Sequence, residues 1–103
     1  AVTVEILKAR LDAAVGVFLL DVREPQEFEI CRIPDSTLIP LGDLPKRLTE
    51  LEGRADMIVH CKSGARSAKA VKLLREAGFS KAKNLTGGIF AWIDRIDPTL
   101  PKY

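Results

Sequence analysis

Two short apolar runs, Val17–Val22 (V-F-L-L-D-V) and Asp56–Cys61 (D-M-I-V-H-C), are each followed by helical patterns, and that alternation constrains the fold most. An apolar run without polar alternation reads as a strand covered on both faces. Strands of this kind separated by helices assemble into a parallel sheet with helices on either side. We therefore expect an α/β domain with a central parallel sheet of about five strands.

The remaining elements follow from spacing and punctuation. Thr3 is placed to cap a first helix running to Asp12, with Glu5 in its first turn and Val4, Leu7 and Leu11 on one stripe. A second helix is expected over Glu24–Cys31, with Pro25 near its start and Phe28 toward the core. Leu38–Ile39, stopped by Pro40, reads as a very short strand. Leu44–Leu51 reads as a short helix with Leu44, Leu48 and Leu51 on one side. The best helical pattern is Ser67–Ala77, where Ala70, Val71, Leu74 and Ala77 form a stripe. Gly78 fits the position just past its end, and Phe79 could fold back on Leu74. Lys83–Leu85 is a last short strand, and Gly87-Gly88 opens a final helix carrying Ile89, Trp92, Ile93 and Ile96. At 103 residues and 47% apolar content the chain is one globular domain, 1–103. Pro98 and Pro101 mark 97–103 as a C-terminal tail. The chain begins at Ala1 within apparent structure, as a piece of a longer protein does.

Charge and cysteine content narrow the function. The 16 basic and 14 acidic residues give a net charge of +2, too balanced for a polyanion binder, so no nucleic-acid partner is expected. No apolar run approaches the ~20 residues of a membrane span. Two cysteines without a signal-peptide pattern fit a reducing, cytoplasmic setting better than a disulfide scaffold. One histidine and two distant cysteines make no metal-ligand spacing, so neither metal nor another cofactor is expected.

The chemistry concentrates in C-K-S-G-A-R, Cys61–Arg66. Cys61 stands at the carboxyl end of a strand, where reactive groups of parallel sheets collect. It opens a surface-facing loop of small residues that leads into a helix, so backbone N–H groups and the helix dipole converge on its sulfur. Such a setting lowers a thiol pKa from ~8.5 to roughly 3.5–7.5 and yields a thiolate nucleophile. Cys61 is thus the candidate catalytic residue. Lys62, Ser63, Gly64, Ala65 and Arg66 are the candidate substrate-binding residues, a cradle for a persulfide, sulfonate or phosphate. Lys69, Lys72 and Arg75 read as a solvated helix face.

Neighbouring residues have two readings each. His60 invites the role of general base, but adjacent strand residues point to opposite faces, which favours a packed histidine. Cys31 is either a core thiol, the favoured reading, or a resolving partner for Cys61. Arg23 either reaches the mouth of the site or, as favoured, pairs structurally with Asp21 or a glutamate. Trp92 is core or rim.

The loop resembles the active-site loop of the rhodanese family, and further segments extend the resemblance over nearly the whole chain. D-V-R-E-P-Q-E-F (Asp21–Phe28) resembles the family's acid-x-Arg segment, I-P-D-S-T-L-I-P (Ile33–Pro40) its I-P-G-A-x-x-I-P segment, and L-T-G-G-I-F-A-W (Leu85–Trp92) its closing glycine pair and tryptophan. Asp35 and Cys31 stand where the family usually or often has glycine, which bears on turn geometry. The resemblance implies a single rhodanese-like domain and a sulfurtransferase that carries sulfane sulfur on Cys61. A finer resemblance, through E-I-C-R-I-P, H-C-K-S-G-A-R-S and D-P-T-L-P-K-Y, is to the rhodanese domains that end adenylyltransferase–sulfurtransferases of molybdopterin and thiolated-cofactor synthesis. It implies a small anionic sulfur donor or a protein persulfide, and a ubiquitin-like sulfur carrier as acceptor. Two rivals stand beside it. A cysteine-dependent phosphatase or arsenate reductase shares the Cys-plus-Arg logic but has one more residue between the two. A non-catalytic rhodanese-like module commonly lacks the cysteine.

Overall fold

The computed structural model describes residues 1–54 and 56–103. Its elements are α1 (Val4–Asp12), β1 (Phe18–Asp21), α2 (Pro25–Ile30), β2 (Ser36–Leu38), β3 (Met57–His60), α3 (Ala65–Glu76), β4 (Ala82–Asn84) and α4 (Gly88–Arg95). The four strands form one parallel sheet in the order β2-β1-β3-β4. Val2 adds a one-residue parallel bridge to Leu85, donating to the Asn84 carbonyl and accepting from Thr86 N–H at 2.9 and 2.8 Å. The expected sheet of about five strands is therefore, among the described residues, four strands joined by three ladders, with one further bridge.

Both faces are covered, as buried strands require. Along β1 and β3, Leu19 and Ile58 point to a core shared with Leu7 of α1 and Ile89 and Trp92 of α4. Their neighbours Leu20 and Val59 point the other way, to Ala70 and Leu74 of α3 and to Leu44 and Leu51. From β1 the chain passes to β2 on one side, and from β3 it passes to β4 on the other. The carboxyl ends of β1 and β3 are thus a topological switch point, where parallel sheets bind ligands.

Local signals explain most boundaries. The Thr3 hydroxyl accepts from Ile6 N–H at 3.3 Å and caps α1. Glu24 and Glu27 form a reciprocal capping box around the start of α2. α3 ends as its stripe and glycine foretell: Phe79 N–H reaches the Leu74 carbonyl at 2.9 Å and Gly78 N–H the Arg75 carbonyl at 3.1 Å. Two expectations need correction. The segment 44–51 is not one helix but two 3₁₀ turns, Leu44–Lys46 and Leu48–Leu51, parted at Arg47, whose φ of −119° lies outside the helical range. Arg47 and Glu50 N–H each reach back three residues, to the Leu44 and Arg47 carbonyls at 3.0 Å, the closure of a 3₁₀ turn and not of an α-helix. α3 begins at Ala65 rather than Ser67, so Arg66 sits in the helix's first turn. Asp35, at the family's glycine position, holds a left-handed φ of +65°, a conformation that aspartate tolerates better than most residues.

Candidate active site

Cys61 follows the last residue of β3, and its side chain lies on the α3 face of the sheet. Gly64, at φ +127°, turns the chain back so that its N–H donates to Cys61 Sγ at 3.1 Å. The Ser67 hydroxyl, one turn into α3, lies 3.3 Å from the same sulfur. Burial pushes the thiol pKa up. The Ser67 side chain and the N–H groups of Ser67, Gly64 and Ser63 outweigh it, and the net position is below an ordinary thiol. The loop itself meets solvent at Ser63 and Ala65, but Cys61 is at its floor, 1% exposed.

The loop is held from behind by α4. Ile89 and Phe90 N–H donate to the carbonyls of Cys61 and Lys62 at 3.0 and 3.1 Å. With those carbonyls engaged below, the succeeding N–H groups are free to face the sulfur. Gly88 permits the approach: a Cβ there would lie 2.6 Å from both carbonyl oxygens. The glycine pair thus serves the loop's backbone as well as starting the helix.

The two cations that flank the thiol have separate fates. Arg66 makes a bidentate ion pair with Glu27 of α2, at 2.6 and 2.9 Å. Tyr103 OH donates to the same carboxylate at 2.9 Å. The Arg66 hydrogen bonds, opposed by burial and helped by Glu24 N–H and Tyr103, bring the Glu27 pKa down to about 2. Lys62 instead places its ammonium over two aromatic rings, 5.2 Å from the Phe90 centroid and 5.0 Å from that of Tyr103. Residues 97–103 therefore lie back across the site, with Tyr103 touching the partners of both cations.

The favoured readings of His60 and Arg23 fit the geometry. His60 is fully buried on the face opposite the thiol, with Nδ1 3.2 Å from the Cys61 carbonyl oxygen and Nε2 3.6 Å from Asp21. Burial lowers its pKa, against the pull of Asp21. Arg23 is also fully buried. It donates to Asp21 at 2.6 Å, to the Cys31 carbonyl at 2.7 Å and to Tyr103 OH at 2.8 Å. Cys31 is in the α1–α4 core, not the α3 core that holds Cys61, and both thiols are free. Trp92 is core, 3% exposed. Among the described residues no group of three or more His, Cys, Asp or Glu is arranged to hold a metal, and no helix is long and apolar enough to cross a membrane.

Sequence reasoning missed Glu27, Ser67, Asn84 and Tyr103. Asn84, at the carboxyl end of β4, accepts from the Ser67 hydroxyl at 2.6 Å through Oδ1. Only Ser67 carried a local signal, its place one residue past Arg66 at the start of a helix.

A parallel-sheet domain with a buried cysteine at its switch point, and the N–H groups of a short loop on its sulfur, is built to hold negative charge at that sulfur. The chain belongs to the rhodanese-like domain family, whose model matches residues 3–95. It is 39% identical to a sulfurtransferase of Allochromatium vinosum over 85% of this chain and 82% of that protein. It is 36% identical over 99% of its length to a probable adenylyltransferase/sulfurtransferase, MoeZ, of Mycobacterium tuberculosis, but spans only 26% of that protein. A rhodanese-like domain protein from Staphylococcus aureus superposes with a TM-score of 0.81 at 35% identity, covering 88% of each chain.

Proposed function

We propose that this chain is a sulfurtransferase in which Cys61 carries sulfane sulfur as a persulfide, bound by the loop Lys62, Ser63, Gly64, Ala65 and Arg66. The observation that carries the reading is the sulfur itself, buried at the strand end with the Gly64 N–H on it at 3.1 Å. In the first half-reaction the Cys61 thiolate attacks the outer sulfur of an anionic donor such as thiosulfate. A sulfur–sulfur bond forms at Cys61, the donor's sulfur–sulfur bond breaks, and sulfite leaves with its electron pair. The loop N–H groups and the Ser67 hydroxyl stabilise the negative persulfide. In the second, an acceptor nucleophile takes the outer sulfur and the Cys61 thiolate returns.

The match of 99% of this chain to about a quarter of a probable adenylyltransferase/sulfurtransferase supports a narrower reading. There the donor is a protein persulfide, and the acceptor is the adenylated C-terminal Gly-Gly of a ubiquitin-like sulfur carrier in molybdopterin-type synthesis. The outer sulfur of the Cys61 persulfide attacks its carbonyl carbon, and AMP leaves. Two equivalents of an external thiol cleave the acyl disulfide, releasing the thiocarboxylate and the Cys61 thiol as they are oxidised to a disulfide. Residues 1–103 would then act as one rhodanese unit, and the free thiols fit a reducing compartment such as the cytoplasm. Intact-mass measurement after mixing with thiosulfate tests the reading. The native chain and Cys31→Ser gain one sulfur atom, and Cys61→Ser gains none. Phosphate release from aryl phosphates without a persulfide would favour the phosphatase, and neither reaction would favour an interaction module.

A further inference from the structure

Ser67 has one hydroxyl proton and three acceptors. Its oxygen lies 2.6 Å from Asn84 Oδ1, 3.2 Å from the Gly64 carbonyl oxygen and 3.3 Å from Cys61 Sγ. The serine is wholly buried, so no acceptor is exchanged freely with bulk solvent. The orientation of Asn84 is set by its other end. Nδ2 faces the Gly64 carbonyl at 3.4 Å, and the flipped amide would bring oxygen against oxygen. That carbonyl already accepts from Ala68 N–H at 3.0 Å. Asn84 Oδ1 therefore holds the serine proton in the arrangement observed. Ser67 is then left to accept from the Cys61 thiol, not to donate to a thiolate.

We infer that Asn84 is a positioning residue that governs ionisation of Cys61 by competing with its sulfur for the single proton of Ser67. With Cys61 protonated, the serine donates to Asn84 and receives the S–H. When the thiol proton leaves, the hydroxyl turns from Asn84 to the sulfur, and the anion gains a donor beside Gly64 N–H. The amide oxygen is thus a brake, because each ionisation must break the 2.6 Å hydrogen bond. Other charged groups around the sulfur act by different routes. Arg66 is matched by Glu27 and Tyr103, Lys62 sits over Phe90 and Tyr103, and His60 and Asp21 lie across the sheet. The inference rests on Cys61 as the reactive thiol. Its test reads the thiol directly, so it fails separately from sulfur transfer.

The experiment is the pH profile of Cys61 alkylation by iodoacetamide in the full chain, with the modified cysteine located by peptide mass. Ser67→Ala should raise the apparent pKa by about one unit, the worth of one hydrogen bond to the charged form. Asn84→Ala should lower it, because the serine proton is released to the thiolate. In the double variant the profile should coincide with that of Ser67→Ala, since Asn84 acts only through the hydroxyl. A rise in Asn84→Ala, no change, or an equal shift with and without Ser67, would overturn the inference. If Asn84→Ala fails to fold, Asn84→Asp supplies an acceptor of the same shape. Its rise should be larger with Ser67 present than in Ser67→Ala, and equal rises would overturn the inference as well.

Discussion

Glu27 and Arg66, 39 residues apart in the chain, are joined through both carboxylate oxygens and both terminal guanidinium nitrogens. The pair ties the first turn of α3, and with it the end of the cysteine loop, to α2. It also neutralises a cation that the sequence places beside the thiol. The lowering of the thiol pKa accordingly comes chiefly from hydrogen bonds to the sulfur, with Arg66 acting on it as a paired charge.

The same pair makes stability depend on acid. The Glu27 pKa falls from 4.5 to about 2 in the folded chain, so its contribution is full above pH 4.5. It is lost as pH falls from there through 2. Glu27→Gln should cost about 1–2 kcal/mol at neutral pH, a figure reduced for solvent screening because a third of the Arg66 side chain is exposed. Urea melts at several pH values should show the native and variant curves converging in acid. A constant gap down to pH 2 would contradict the assignment.

The two loop cations should separate experimentally. Half-buried Lys62 has no carboxylate partner among the described residues and lies over aromatic rings, where a cation contributes about 0.5–1 kcal/mol. Lys62→Ala should therefore change stability little and weaken use of anionic thiosulfate by roughly tenfold, with added salt mimicking the effect in the native chain. Arg66→Ala should cost more stability, since it strands Glu27 in a partly buried site. Thermal melts paired with thiosulfate kinetics read both effects. Equal stability losses would show that the ion pair does not tie the loop to α2.

Gly88 is the point where α4 meets the loop. In Gly88→Ala the new Cβ would sit 2.6 Å from the Cys61 and Lys62 carbonyl oxygens, and alanine would also take a φ of +59°. We expect a loss of about 2 kcal/mol or more and at least tenfold slower persulfide formation, because the loop must shift to accommodate the methyl group. Denaturant melts and mass kinetics check this. Native-like loading by a folded Gly88→Ala would mean that the loop geometry does not depend on this contact.

Features governed by local chemistry were legible before the fold was known. The strands at Val17–Val22 and Asp56–Cys61, the Thr3 cap, the Gly78 helix end and the opposition of His60 to Cys61 all follow from period, capping or pleat. What escaped depends on tertiary meeting points. Nothing near Glu27 announces Arg66, nothing near Asn84 announces Ser67, and the two prolines of 97–103 say nothing of where Tyr103 docks. Leu44–Leu51 misled because two 3₁₀ turns, parted at Arg47, bring the same three leucines to the core that a single α-helix would. The role of the glycine pair was half legible. Its start of α4 shows in sequence, but its contact with the Cys61 carbonyl does not.

Loop length should select the chemistry. Six residues from Cys61 to Arg66 close a ring around one sulfur, with Gly64 N–H already 3.1 Å from Sγ. Donors stabilise charge only when they lie about 3 Å from the atom that bears it. A phosphoryl group on Sγ would bring three oxygens to donors gathered about a single atom. The native chain should therefore load sulfur from thiosulfate and show no useful turnover of aryl phosphates. Inserting one glycine after Ser63 lengthens the ring by a residue. That variant should bind oxyanions better and lose sulfur transfer by tenfold or more, while Arg66 keeps its pair with Glu27 because the insertion precedes α3. Competition of arsenate or vanadate with alkylation of Cys61 reads the first change, and mass after thiosulfate reads the second. If the lengthened loop transfers sulfur as well as the native one and gains no oxyanion affinity, ring size is not what distinguishes the two chemistries here.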